Sequence, residues 1–394
     1  MQRAVETSAS ALVAAAERLA PLVEAHRTDL ATARDLPAPL AAALDAAGLT
    51  RLWLPRALGG AELPPEDYIR VIETLARLDG AVGWCAAIAS GGSRLVAMLA
   101  PEVAATMFGP GRGFLCNVGN PSGSAVEVPG GWRVTGRWSY ASFIRHSAWA
   151  LGMSIVRGAD GAPRLDAAGN PVMLGAFFPT ASVVVHDVWN AGGLRATGSH
   201  DFEVRDAFVP AERSYPVHGF ESTPCVPGPL ASLPTITAFA IVITPVALGL
   251  AQAAIDALVT LAADKRPPGG TTPLRDLPGV QADVARAVAE LRAARAFLFN
   301  AVGELWQAAH AGRARDIERR ALVRLACWHA MRASKRVVGM MHEAAGAGGL
   351  DERFRFAACL RDVHAAGQHL AFAQRHLEVI GRVIMQMPAG TERF

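Results

Sequence analysis

GWRVTGRWSYAS, residues 131–142, is rich in the aromatic and β-branched residues that suit a pleated strand, and Pro129-Gly130-Gly131 signals a turn at its start. Runs of the same character surround it: GFLCNV (113–118), SAVEV (124–128), AWALGMSIV (148–156), VMLGAFF (172–178), ASVVVHDVW (181–189) and FEVRDAFV (202–209). Turn residues such as Ala168-Gly169-Asn170 separate them. Strands at this spacing predict a small antiparallel barrel or sandwich over residues 112–212.

Outward in both directions the period changes to that of helices. Residues 1–111 carry apolar positions at helical spacing, as in Leu12, Ala15, Ala16, Leu19 and Val71, Leu75, Leu78. Leu54-Pro55, Gly59-Gly60 and Pro64-Pro65 divide that region into several helices. From 213 to 394 long helical segments are expected around 238–265, 278–312, 316–346 and 354–387, an up-and-down four-helix bundle. The layout is therefore mainly α with a central β domain. Leu233 to Ile255 runs without a charge, but Pro234, Pro245 and several threonines interrupt it and no basic cluster flanks it. A buried core helix fits that pattern better than a membrane span.

Hydrophobic residues form 51% of the 394 and charged residues 19%, which excludes a disordered polyelectrolyte. The net charge of +3 is too small and too dispersed to argue for nucleic acid. Five cysteines at wide spacing, with no CxxC pair, read as reduced thiols of a cytoplasmic protein. The N-terminal stretch through Arg27 has Glu6, Glu17 and Glu24 among its apolar positions, so it reads as an amphipathic helix and not a signal peptide.

No HExxH, DxDxDG, P-loop, strand-linked GxGxxG or GxSxG occurs, so no metal, kinase, nicotinamide or serine-hydrolase site is expected. Two segments carry more. One is Gly136-Arg137-Trp138-Ser139-Tyr140-Ala141-Ser142, ending at a turn. The other is Gly346-Ala347-Gly348-Gly349, followed by Arg361-Asp362 and His369 in RDVHAAGQH. With Leu54-Pro55, Gly59-Gly60 and Gly193-Leu194-Arg195-Ala196-Thr197-Gly198-Ser199, they resemble the acyl-CoA dehydrogenase superfamily over nearly the whole chain.

That resemblance implies a flavin. In the family's Gly-x-Lys-x-Trp-Ile-Thr motif, the hydroxyl at the last position sits against flavin N5; Tyr140 and Ser142 take the Trp and Thr positions here. Asn120-Pro121-Ser122-Gly123-Ser124 resembles the loop that lines the flavin, so Asn120 and Ser122 are expected contacts. Trp189 is expected to stack on the ring, Ser199 to reach a flavin phosphate, and Gly346 and Gly349 to approach the pyrophosphate or adenosine across a subunit interface.

A dehydrogenase of this family commonly holds its catalytic Glu where this chain has Leu370, with His369 just before it. Leucine accepts no proton. RDVHAAGQH, GRWSYAS and WNAGGLRATGSHD are more similar to the flavin-dependent monooxygenase branch, in which a His near this position points at flavin and substrate. That branch usually shows Ser-Gly where Ser142 is followed by Phe143.

The resemblance implies a homotetramer that takes reduced flavin (FADH2 favoured over FMNH2) from a separate NAD(P)H-dependent flavin reductase. With O2 it would form a C4a-hydroperoxyflavin and hydroxylate a small aromatic or heteroaromatic, phenol- or indole-type substrate. His369 and Ser142 are the expected catalytic residues; Trp84, His146 and Met340 are candidates to line the substrate pocket. Alternatives are an acyl-CoA dehydrogenase using Glu290 or Glu304 as base, a flavin-dependent N- or S-oxygenase, and a helical scaffold that no longer binds flavin.

Overall fold

In the computed structural model, residues 8–391 except Phe220 are described. The first part is helical: α1 (Ala9–Glu17), α2 (Ala20–Ala25), α3 (Arg27–Thr32), α4 (Ala38–Ala46), α5 (Pro65–Leu78), α6 (Gly80–Gly92) and α7 (Pro101–Phe108). Over its described residues, the stretch through Arg27 expected as one helix is broken into α1 and α2, with α3 beginning at its last residue. Pro21 lies in the first turn of α2, where a missing N–H costs nothing, and His26 separates α2 from α3.

The strands are β1 (Leu115–Val128), β2 (Gly131–Ala141), β3 (Trp149–Arg157), β4 (Met173–Pro179), β5 (Val184–His186), β6 (His200–Pro210) and β7 (Ser214–Val217). They form one sheet in the order β5-β6-β2-β1-β3-β4-β7. All neighbours are antiparallel except β1 and β3, which pair in parallel, so the sheet is mixed where an antiparallel one was expected. The crossover through β2 and the turn at Ile144–His146 returns the chain to the other edge of β1. Trp138 on β2 stacks on Phe202 of β6 at 4.8 Å and meets Phe178 of β4 at 5.7 Å, so the sheet rolls around a shared aromatic core. β7 extends the sheet past residue 212 by pairing with β4.

The last part holds α8 (Thr235–Ala262), α9 (Pro278–His310), α10 (Ile317–Ala344), α11 (Phe356–Ala366) and α12 (Arg375–Ile384). Three long helices match the expected segments. The fourth is broken: α11 stops at Ala366, Gly367 caps it, and a short 3-10 turn over Leu370–Phe372 precedes α12. α8 and the Gly80–Met98 segment are long and apolar enough to cross a membrane. Both are buried inside the protein, α8 against α5, α6, α10 and α11.

Candidate active site

The site forms where β2, α6 and the break after α11 meet. α6 starts at Asp79, whose side chain accepts from the backbone N–H of Ala81 at 2.9 Å and Val82 at 3.3 Å. It is buried throughout, but Trp84 and Ile88, one turn apart, each keep 8% exposure while Cys85, Ala86 and Ala87 have none.

Ser142 follows the last residue of β2 and is 4% exposed. Its Oγ accepts the indole N–H of Trp84 at 3.0 Å and lies 2.7 Å from Ser199 Oγ, which in turn lies 2.7 Å from Thr197 Oγ1. Tyr140 (φ +65°) and Phe143 (φ +67°) flank it in left-handed backbone, a cost of about 1–3 kcal/mol each that a tertiary fit must offset. Phe143 does so by stacking on Phe114 at 4.6 Å and by an N–H bond to the Thr197 carbonyl at 2.8 Å. The chain thus accommodates Phe where a glycine would adopt the turn freely.

His369 lies in the break, not on a helix as its spacing suggested. Its backbone is extended (φ −60°, ψ 140°), and Nδ1 accepts the Ala371 N–H at 3.1 Å. Nδ1 as acceptor puts the proton of the neutral ring on Nε2, an assignment made from the hydrogen bond. The ring is half-buried and meets Trp84 edge-on at 6.0 Å. Burial, then the positive charge of Arg324, lower its pKa to about 4. It is therefore neutral at working pH and offers an Nε2–H donor.

The remaining residues fall in two groups. Tyr140, 74% exposed, meets Trp189 edge-on at 6.4 Å just outside Ser142. Trp189 Nε1 donates to the Arg195 carbonyl at 2.8 Å. Asn120 and Ser122 are exposed on β1 and bond one another at 2.9 Å. His146 is committed to the Leu36 carbonyl at 2.9 Å and to the Phe143 ring. Gly346 (φ +53°) and Gly349 lie in a 3-10 turn after α10, with Met340 just before it. Arg324, near the start of α10, is the residue beside the Ala371 carbonyl. From there to Ala344 the helix rises about 30 Å, so this end lies far from His369 within one chain.

Sequence reasoning missed several features. Asn117 on β1 is 7% exposed, donates to the Ile88 carbonyl at 3.2 Å, and has a buried Oδ1 with no partner. His200 is fully buried between Asp35 and Asp187 at 3.3 and 3.4 Å. Asp35, 165 positions from His200, gives no local signal; only the fold pairs them.

A flavin fits these residues: a buried hydroxyl held by two neighbours, an orphaned amide oxygen, and an aromatic pair at the rim. A CoA-thioester base does not. Leu370 is 47% exposed and apolar, Glu290 is paired with Arg336, and Glu304 accepts from Asn300 on α9. The fold and site thus define a flavoprotein of the acyl-CoA dehydrogenase type that lacks the dehydrogenase carboxylate.

Comparison with known proteins narrows this. The chain matches family models described as the acyl-CoA dehydrogenase N-terminal domain over residues 2–102 and C-terminal domain over 241–374. It is 31% identical over 330 residues to an indole-3-acetate monooxygenase of Pseudomonas putida, covering 83% of this chain and 81% of that protein. It is 27% identical to the FADH2-dependent resorcinol hydroxylase, oxygenase component, of Rhizobium sp. strain MTP-10005, covering 97% and 94%. The crystal structure of the HsaA monooxygenase from M. tuberculosis superposes with a TM-score of 0.87 at 25% identity, covering 98% of this chain and all of that one (100%). The chain belongs to the flavin-dependent monooxygenases of the acyl-CoA dehydrogenase superfamily.

Proposed function

We propose that this chain is the oxygenase component of a two-component system that hydroxylates a small aromatic or heteroaromatic substrate of phenol or indole type. It takes reduced flavin, FADH2 in preference to FMNH2, from a separate NAD(P)H-dependent reductase, and works as a cytoplasmic homotetramer. The observation that carries the reading is Trp84 joining Ser142 to His369 where a dehydrogenase would hold its carboxylate. The relatives' printed names, an indole-3-acetate monooxygenase and a resorcinol hydroxylase oxygenase component, support the substrate class and the outside source of electrons. The preference for FAD rests on the Gly346–Gly349 turn. In a tetramer that turn would serve the adenosine side of a flavin held by a neighbouring subunit.

Reduced flavin supplies two electrons to O2, so that one oxygen atom enters the substrate ring and the other leaves as water. Ser142 would hold a hydrogen bond at flavin N5, with Ser199 and Thr197 fixing its hydroxyl. Tyr140 and Trp189 would cover the rim, and Asn120 and Ser122 would line the flavin loop. The apolar face of Trp84 and Ile88 would exclude water and so suppress unproductive loss of hydrogen peroxide. His369 would donate Nε2–H to a substrate oxygen or to the oxygen being transferred, and so fix the ring's orientation.

The test is anaerobically reduced FAD mixed with the protein, labelled O2 and a panel containing indole-3-acetate, resorcinol and simple phenols. One labelled oxygen atom in a ring product is expected. Bleaching of bound oxidised flavin by an acyl-CoA, with no labelled product from the panel, would overturn the reading in favour of a dehydrogenase.

A further inference from the structure

The stretch from Asp187 to Gly193 is neither helix nor strand, yet all three polar groups of Trp189 within it have fixed partners. The backbone N–H donates to Nδ1 of His200 at 3.2 Å, the carbonyl accepts from Arg34 at 3.2 Å, and the indole N–H donates to the Arg195 carbonyl at 2.8 Å. His200 opens β6 and has no exposure. Because Nδ1 accepts, the neutral ring carries its proton on Nε2, which faces Asp35 Oδ1 at 3.3 Å. Asp187 also lies 3.4 Å from Nδ1, but its charge is met by Arg34 and Arg145. Asp35 stands between α3 and α4 and receives Arg145 at 2.6 Å. It comes this close because residue 198 is glycine (φ +55°), where an added Cβ would stand 2.3 Å from Asp35 Oδ1.

We propose that His200, anchored on Asp35, is a positioning residue that holds Trp189 where its indole covers the flavin rim. The inference rests on the flavin reading above and deepens it. The bond from Trp189 to His200 closes a loop across eleven positions. Inside that loop, Leu194 (φ +50°) begins a short turn, its N–H accepted by Asp362 Oδ1 at 2.6 Å, and the turn carries Thr197. Ser199, directly before His200, lies 2.7 Å from Ser142 Oγ. One buried imidazole therefore fixes both the aromatic rim and the hydroxyl that steadies Ser142.

Holding an irregular segment in one conformation costs backbone entropy, which the bonds to Trp189 offset. With its indole N–H already satisfied, Trp189 offers a ligand only its ring, and the ring stands beside Tyr140 at 6.4 Å. The position of His200 demands an acceptor toward Trp189 and a donor toward Asp35. A neutral imidazole supplies both from one rigid ring, and the carboxylate selects the tautomer. Asparagine carries its amide on Cγ, as the imidazole carries Nδ1, so it can restore the acceptor for Trp189. Glutamine carries its amide one bond further out, at the level of Nε2, and restores only the link to Asp35.

Two measurements test this. In the protein without flavin, the Trp189 amide should exchange its hydrogen about two- to tenfold faster in His200→Ala and His200→Gln, the worth of one hydrogen bond, and near the wild-type rate in His200→Asn. Affinity for reduced FAD, measured anaerobically, should follow the same order, falling about two- to tenfold in the first two variants and recovering in the third. In a Trp189→Ala background, His200→Ala should cost no further affinity, because its effect runs through the missing ring. A histidine that only supports the fold would weaken binding equally in both backgrounds. That result, or Asn behaving as Gln does, would overturn the proposal; if His200→Ala does not fold, the comparison of Asn with Gln decides. If neither the wild type nor any variant binds flavin, the flavin reading fails instead, and amide exchange alone decides whether His200 holds Trp189.

Discussion

The indole N–H of Trp84 donates to Oγ of Ser142 across 3.0 Å, tying a helix of the N-terminal part to the end of a strand in the sheet. The same ring stands edge-on to His369, from the C-terminal part, at 6.0 Å. One side chain thus sets the spacing of the two residues expected to act, and because it occupies a Ser142 lone pair it leaves the hydroxyl proton for Ser199 or a bound ligand.

Trp84→Phe keeps the ring and removes the donor. Stability should fall by about 1 kcal/mol, the usual net worth of one hydrogen bond. Hydrogen peroxide released per reduced flavin consumed should rise, because the Ser142 hydroxyl is free to turn. Unchanged peroxide release would separate the indole N–H from Ser142's function.

Ser142→Ala should fold normally and bind reduced flavin, yet lose about 1–3 kcal/mol of interaction at the flavin if the site is dry. Peroxide release should exceed that of Trp84→Phe. Ser199→Ala should fall between wild type and Ser142→Ala, since it removes a neighbour of the hydroxyl and not the hydroxyl itself. The ordering of the three, measured by oxygen uptake against product formed, is the check.

His369→Ala should still take up reduced flavin but lose product formation by about 10²–10⁴, the usual worth of a positioned proton donor or acceptor. His369→Gln, which can also donate a hydrogen bond, should recover part of it. Hydroxylation by His369→Ala at the wild-type rate at every pH would reduce the residue to packing.

The same histidine gives a stability signature. Its folded pKa of about 4 lies below the ordinary imidazole value, so the unfolded chain takes up a proton first as pH falls. Its stabilising contribution is complete above about pH 6.5 and is lost as pH drops toward 4, by a few kcal/mol at most. Denaturant titrations of wild type and His369→Gln should diverge over that window, the wild type losing more.

Phe143 separates packing from backbone strain. Phe143→Ala should destabilise by about 3 kcal/mol or more, because it leaves a cavity against Phe114 while φ stays at +67°. Phe143→Gly leaves the same cavity but relieves the left-handed conformation. It should be the more stable of the two by about 1 kcal/mol; equal melting temperatures would show that the turn relaxes to another conformation.

Much of this protein is legible in its sequence because the deciding signals are local. A change of period at either end of the β region marks the three parts, and GRWSYAS, the Gly346 turn and RDVHAAGQH are the stretches that resemble the family's motifs. The absence of a carboxylate at Leu370 is likewise a property of one position. Tertiary structure alone decides the rest. Residues 365–373 have helical spacing, but Gly367 ends α11 and His369 caps the next turn, so its Nδ1 is occupied and its proton sits on Nε2. That Trp84 donates to Ser142, and Asp362 accepts from Leu194, follows only once α6, the Leu194 turn and α11 are brought together. The physical reason is separation: each of these contacts joins groups 58 to 168 positions apart, and the burial that sets their charge states belongs to the packed assembly and not to any stretch of chain.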